Sequence, residues 1–234
     1  MKIEIWSDIM CPFCYIGKRR FDNALAQFAH KDKITIEWKS FMLSPELVTD
    51  PTKSIHQHLA QHKGISLEEA KGMNDYVANM AVQTGLVYNM DSIVVANSFN
   101  AHRFLHFAKA QGKQHQAEEK VFMAYFTEGK NIDDAQTLTG IAQELGLDVP
   151  AMAEAMSSGK YAEEVVTDIN EAQQLGIRGV PFFVFNRKYA ISGAQETHAF
   201  LETLEKSFAE WQESNPLSPF DISEGESCGI DGCD

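Results

Sequence analysis

Two of the four cysteines stand three positions apart, in Cys11-Pro12-Phe13-Cys14. Sulfurs at i and i+3 can close a small disulfide ring and open it again, or they can supply half of a zinc site. The flanking residues bear on the choice. Ile3 and Ile5 alternate with Glu4, which reads as a short strand over residues 2–7. A helical pattern then runs from Pro12 to about Ala29, with Pro12 in the first turn, where its missing N–H costs nothing. Cys11 therefore sits at a helix N-terminus, where oriented N–H groups and the helix dipole stabilise a thiolate, and Cys14 lies one turn inside. This placement makes Cys11 the attacking sulfur and Cys14 the resolving, more buried one. A zinc knuckle would need a further close Cys or Cys/His pair at the usual spacing, which the chain does not offer.

Val180-Pro181 is the second candidate. A proline opening the apolar run Phe182-Phe183-Val184-Phe185 cannot donate a ladder hydrogen bond, so it belongs at an edge, a bulge or a cis turn. In a cis turn the Val180 backbone would face Cys11 and offer main-chain hydrogen bonds to a substrate, whereas a plain loop-ending proline would do neither. The third is the tail pair Cys228 and Cys233, whose short loop contains Gly229 and Gly232. A disulfide could close there without strain, and a tethered dithiol could exchange electrons with the first pair. Incidental thiols and a metal-binding tail are the other readings. His58 and His62 stand at i, i+4 beside His56, a spacing open to zinc, but no Glu follows and a solvated helix face is the expectation. Asp8 is expected to be an ordinary strand-end carboxylate. Phe99, Phe104, Phe107, Phe122 and Phe126 are expected in a core rather than a substrate groove.

These residues need a scaffold, and the pattern supplies one. Strand 2–7, the first helix and a strand over Ile34–Trp38 form β-α-β. Residues from about 52 to 176 carry helical stripes such as Val121, Phe122, Tyr125 and Leu138, Ile141, Ala142, Leu145, with a longer one at Tyr161, Val165, Ile169 and Ala172. Glycines such as Gly64, Gly129 and Gly176 stand where helices should stop. Val180–Phe185 and Tyr189–Ile191, joined through Asn186-Arg187 and Lys188, read as a hairpin, and Phe200, Leu204, Phe208 and Trp211 mark a last helix. The expected fold is α/β: a thioredoxin-like domain from residues 1–50 and 177–212, a helical insertion over 51–176, and a tail over 213–234 with no packed core of its own.

Hydrophobic residues make up 44% of the 234 and charged residues 23%, ordinary for a chain with a core. The net charge of −13 disfavours nucleic acid and anionic membrane as partners. No signal-peptide core and no apolar run of about 20 residues is present, so a cytoplasmic location is expected. Paired cysteines there point to redox chemistry or metal binding.

Ser7-Asp8-Ile9-Met10-Cys11-Pro12-Phe13-Cys14-Tyr15-Ile16-Gly17, with Gly176-Ile177-Arg178-Gly179-Val180-Pro181-Phe182-Phe183-Val184, resembles the DsbA-like thioredoxin superfamily. Ser192-Gly193-Ala194-Gln195 brings it nearest to the FrnE-like branch of dithiol-disulfide oxidoreductases, over roughly residues 2–212. The resemblance implies that Cys11 and Cys14 are the redox pair, that Pro181 is cis beside them, and that the helical block is the usual insertion. Cys228 and Cys233 resemble a second Cys-x4-Cys motif found in some members. Two departures stand out: no histidine lies between Cys11 and Cys14, and Phe13 stands where the branch more often has tryptophan. The expected function is thiol-disulfide exchange or isomerisation through a mixed disulfide, with protein or small-molecule disulfides and dithiols as substrates and glutathione or another thiol as reductant. No cofactor and no metal are required, since the cysteine pair carries two electrons. The alternatives are a glutathione-dependent transferase of the kappa type or a hydroxychromene-carboxylate-type isomerase, which typically carry serine at the Cys11 position, and a chaperone or metal-binding module without turnover.

Overall fold

The computed structural model describes residues 1–215 and, beyond them, the backbone of Cys228–Gly229 and Gly232–Cys233. Four strands form the main sheet in the order β2-β1-β5-β6: β1 (Lys2–Ser7), β2 (Thr35–Ser40), β5 (Phe182–Phe185) and β6 (Tyr189–Ser192). β1 runs parallel to β2 and antiparallel to β5, with Ile5 opposite both Trp38 and Phe183. A parallel pair needs a crossover, and α1 (Pro12–Gln27) supplies it. β5 turns into β6 through the three residues Asn186, Arg187 and Lys188; Asn186 and Arg187 have positive φ (50° and 56°), and Lys188 N donates to Phe185 O at 3.0 Å to close the turn.

One face of the sheet is covered by α1 and α9 (Thr197–Ser214). Phe21, Phe183 and Phe200 meet there, with Phe183 and Phe200 centroids 4.7 Å apart and nearly edge to face. The other face is covered as well, by helices of the segment between β2 and β5. That is why Glu4, on the outward side of an alternating strand, is only 2% exposed; Arg187 and Lys2 pair with it. Asp168, on α8 (Ala162–Gln174), ties this segment to β2 by accepting from Ser40 N at 2.9 Å, with His106 Nε2 3.0 Å away. Gln114 pairs with both the N–H and the C=O of Trp38, closing the free edge of β2.

The intervening segment is helical: α2 (Ile55–Lys63), α3 (Leu67–Gln83), α4 (Phe99–Ala110), α5 (Gln114–Phe126), α6 (Ala135–Glu144), α7 (Val149–Ser157) and α8. Local chemistry sets its boundaries, since Ser54 with Gln57 and Ser66 with Glu69 make complete capping boxes. Gly129 has φ 64°, and a Cβ there would lie 2.6 Å from Ser92 O. Two details depart from the helical pattern. β3 (Asp50–Ser54) and β4 (Val94–Val95) pair antiparallel within the segment, and Tyr161 precedes α8 at φ 68° instead of opening its apolar stripe. Phe104, Phe122, Leu138 and Ile141 build the segment's core, which continues without a break into Cys14, Tyr15 and Ile16 on α1. No helix among the described residues is long and apolar enough to cross a membrane.

Candidate active site

α1 begins where that helical core meets the end of the sheet. Cys11 is its N-cap residue, in extended conformation (φ −85°, ψ 112°), and no side chain caps the helix. The turn is held by main-chain bonds, Cys11 N to Asp8 O and Cys14 N to Cys11 O, both 3.0 Å. Tyr88 braces it from outside, donating to Pro12 O at 2.7 Å while its ring stacks on Phe126 with centroids 4.5 Å apart. Cys11 is 5% exposed and Cys14 is fully buried, so reagents can reach only the first sulfur without the turn opening. Burial, and then the neighbouring Cys11, push the Cys14 thiol well above the ordinary range.

Val180-Pro181 is a cis peptide just before β5. Cys11 Sγ donates to Val180 O at 3.6 Å, so two residues 169 positions apart in sequence meet at the helix N-terminus. Pro181 O accepts from Gly193 N at 2.8 Å, and Arg20 holds the adjacent loop by donating to Ala194 O at 2.6 Å. Gly17 makes the approach possible, since a Cβ at that position would stand 2.9 Å from Pro181 Cγ and 3.5 Å from Ala194 Cα. Gly17→Ala should therefore force α1 and the Pro181 loop apart. The expected cost is about 1–3 kcal/mol, as for other overpacked sites, together with slower disulfide exchange. Thermal unfolding and an exchange assay on the same variant check this; an unchanged Tm would mean that the loop yields freely.

Four of the sequence candidates thus come together: Cys11, Cys14, Val180 and Pro181. Cys228 and Cys233 lie opposite one another in a two-residue antiparallel pair, β7 (Cys228–Gly229) with β8 (Gly232–Cys233). Their side chains lie outside the described residues.

Other expectations change. Asp8 is not a plain strand-end carboxylate: it is fully buried and accepts from Leu43 N at 2.7 Å and Met10 N at 3.3 Å, with His102 Nε2 3.5 Å away, so it organises the loop leading into Cys11. His56 is not on a solvated face but packs inward between Asn74 and Asp91. Phe104, Phe107 and Phe122 are core, whereas Phe126 also floors a pocket that opens beside Cys11. Sequence reasoning missed a buried polar group under the turn, made by Ser7, His102 and Glu118. Glu118 Oε1 and Oε2, Ser7 Oγ and His102 Nε2 have no hydrogen-bond partner among the described residues. Glu118 gave no sequence signal, because it is one of two adjacent glutamates on a helix and only packing sends it inward.

The sequence profile of the DSBA-like thioredoxin domain matches residues 2–205. The uncharacterized protein YwbO of Bacillus subtilis (strain 168) is 31% identical over 190 residues, covering 78% of this chain and 85% of that protein. The crystal structure of a probable DsbA oxidoreductase from Streptomyces coelicolor is 35% identical, with a TM-score of 0.82 and coverage of 100% of this chain and 98% of the other. The cytosolic disulfide reductase DsbM from Pseudomonas aeruginosa shares the fold at 16% identity, with a TM-score of 0.61 over 93% of this chain and 100% of that one.

Proposed function

The chain belongs to the DSBA-like thioredoxin family, and from that premise we propose that it exchanges disulfides through Cys11 and Cys14, as a member of the FrnE-like branch. One observation carries the reading. Cys11 Sγ lies at an uncapped helix N-terminus within 3.6 Å of Val180 O, with a second, fully buried sulfur one turn behind it. Cys11 attacks a substrate disulfide and forms a mixed disulfide, while one substrate sulfur leaves as a thiol. Cys14 then attacks Cys11, the second substrate thiol leaves, and two electrons have passed from the protein pair to the substrate. The backbone at Val180 and Pro181 aligns the substrate beside the sulfur. The exchange is placed in the cytoplasm, with glutathione or another thiol restoring the reduced pair, and with Cys228 and Cys233 as an accessory relay.

Insulin reduction and refolding of scrambled ribonuclease, each with and without glutathione, test the proposal. Both should run faster than with the small thiol alone. No acceleration in either assay would overturn the reading in favour of a binding module, and turnover only of a glutathione-dependent isomerase substrate would favour the kappa-type alternative. In the same assays the double variant Cys228→Ser/Cys233→Ser should slow turnover several-fold with an unchanged Tm. Unaltered turnover would reject the relay.

A further inference from the structure

Helix α1 carries a second tie to the Val180-Pro181 loop besides the one at Cys11. Arg20, on the same helix, is 8% exposed and reaches the connection between β6 and α9. Its Nη1 donates to Ala194 O at 2.6 Å, and its Nη2 pairs with Glu196 Oε1 at 2.7 Å. Gly193, one residue before Ala194, has φ 78° and donates its N–H to Pro181 O at 2.8 Å. Val180 O in turn accepts from Cys11 Sγ at 3.6 Å. These contacts close a ring. It runs from Arg20 through Ala194 and Gly193 to Pro181, across the cis peptide to Val180, and through Cys11 back into α1.

A guanidinium is costly to bury unless its donors are used, and the planar fork of arginine can hold two partners at once. Here the fork is spent on a loop and not on its own helix. The elements on either side of that loop are secured without it: β6 pairs with β5 along its length, and Phe200 of α9 packs on Phe21 of α1. What Arg20 adds is the spacing between α1, with its sulfurs, and the Pro181 loop. Gly17 lets the two come close, since a Cβ there would stand 2.9 Å from Pro181 Cγ, and Arg20 keeps them from parting.

We propose that Arg20 is a positioning residue for extended substrates. It holds the Val180-Pro181 backbone in register with Cys11, so that a peptide lying along that backbone brings its disulfide to the sulfur. Arg20 itself touches neither the sulfurs nor the substrate. The proposal deepens the exchange reading and rests on it. Its consequence is selective: a peptide aligned by the loop loses affinity when the loop drifts, whereas a small disulfide needs only the sulfur.

Two measurements on the full-length reduced protein test it. The first compares a disulfide-bonded pair of extended peptides with hydroxyethyl disulfide. For the peptides, Arg20→Gln should lower kcat/KM about tenfold, chiefly through KM. Arg20→Lys, which keeps the charge but not the fork, should lower it about threefold. With hydroxyethyl disulfide both variants should stay within about twofold of the unaltered protein, as should iodoacetamide alkylation of Cys11. Glu196 is 64% exposed, so Glu196→Gln should change either rate by less than about twofold. Equal losses with the two substrates would overturn the proposal, because Arg20 would then support the turn as a whole. Unchanged peptide kinetics in Arg20→Gln would overturn it as well.

The second measurement needs no turnover. Amide hydrogen exchange at Gly193, whose N–H is bonded to Pro181 O, should quicken about tenfold in Arg20→Gln while the amides of the central strand β1 keep their rates. An unchanged Gly193 amide, or the same acceleration throughout the sheet, would overturn the proposal. If the unaltered protein exchanges neither disulfide while Gly193 still responds to Arg20→Gln, the exchange reading is what fails, and the tie from Arg20 to Pro181 stands.

Discussion

Replacing Cys11 with serine should reduce disulfide exchange to the uncatalysed background, whereas Cys14→Ser should keep the first step and accumulate mixed disulfides. The asymmetry follows from burial. Cys11 is on the pocket wall and 5% exposed, while Cys14 has no accessible surface. Burial and the adjacent Cys11 hold the Cys14 thiol protonated near neutral pH, so it cannot make the first attack. Once Cys11 is tied to a substrate sulfur, the electrophile sits against Cys14, and proximity alone speeds the second step. Non-reducing mass spectrometry after mixing with a disulfide should show adducts only for Cys14→Ser. Brief iodoacetamide treatment of the reduced protein should label Cys11 first; preferential labelling of Cys14 would reverse the two roles.

Glu118→Gln should flatten part of the pH dependence of stability and stabilise the protein above neutral pH. Glu118 is 1% exposed, and neither carboxylate oxygen has a hydrogen-bond partner among the described residues. Burial raises its carboxyl to about 7, against the pull of His102 and Lys18 and with a push from the Asp8 carboxylate. In the unfolded chain a glutamate titrates at about 4.3. Between those values the folded state holds a proton that the unfolded state has lost, so stability falls as pH rises through this window. The full penalty, about 4 kcal/mol, is present above the upper value and absent below the lower one. The amide of glutamine carries no charge to desolvate, although it remains a buried polar group with its own cost. A gain of about 2–3 kcal/mol at pH near 8, or roughly 5–10 °C in Tm, is expected, with little difference near pH 4. Tm measured against pH for both proteins decides it, and parallel curves would refute the role of Glu118.

How much of this was legible in the residues depends on how local the information is. The strand before Cys11, the helix that starts at Pro12 and the turn at Asn186-Arg187 are written in short patterns, because period, capping and positive φ are decided within a few residues. The resemblance carried by Cys11–Cys14 and Gly176–Val184 extended that reading to the family, which the match over residues 2–205 establishes. By contrast, β3 was invisible: Asp50-Pro51-Thr52-Lys53-Ser54 has little strand propensity, and it pairs only because Val94–Val95 is brought beside it. The burial of Glu4, His56 and Glu118 was equally hidden, since a polar residue's own neighbours in sequence do not say which surface will cover it. The pocket beside Cys11 is the extreme case, assembled from α2, α3 and the turn at Cys11. The sequence by itself singled out Cys11 and Cys14 as the proposed sulfurs and determined the strand and helix that carry them. Tertiary structure alone decided what surrounds those sulfurs, because side-chain environment comes from faces that meet across long sequence separations.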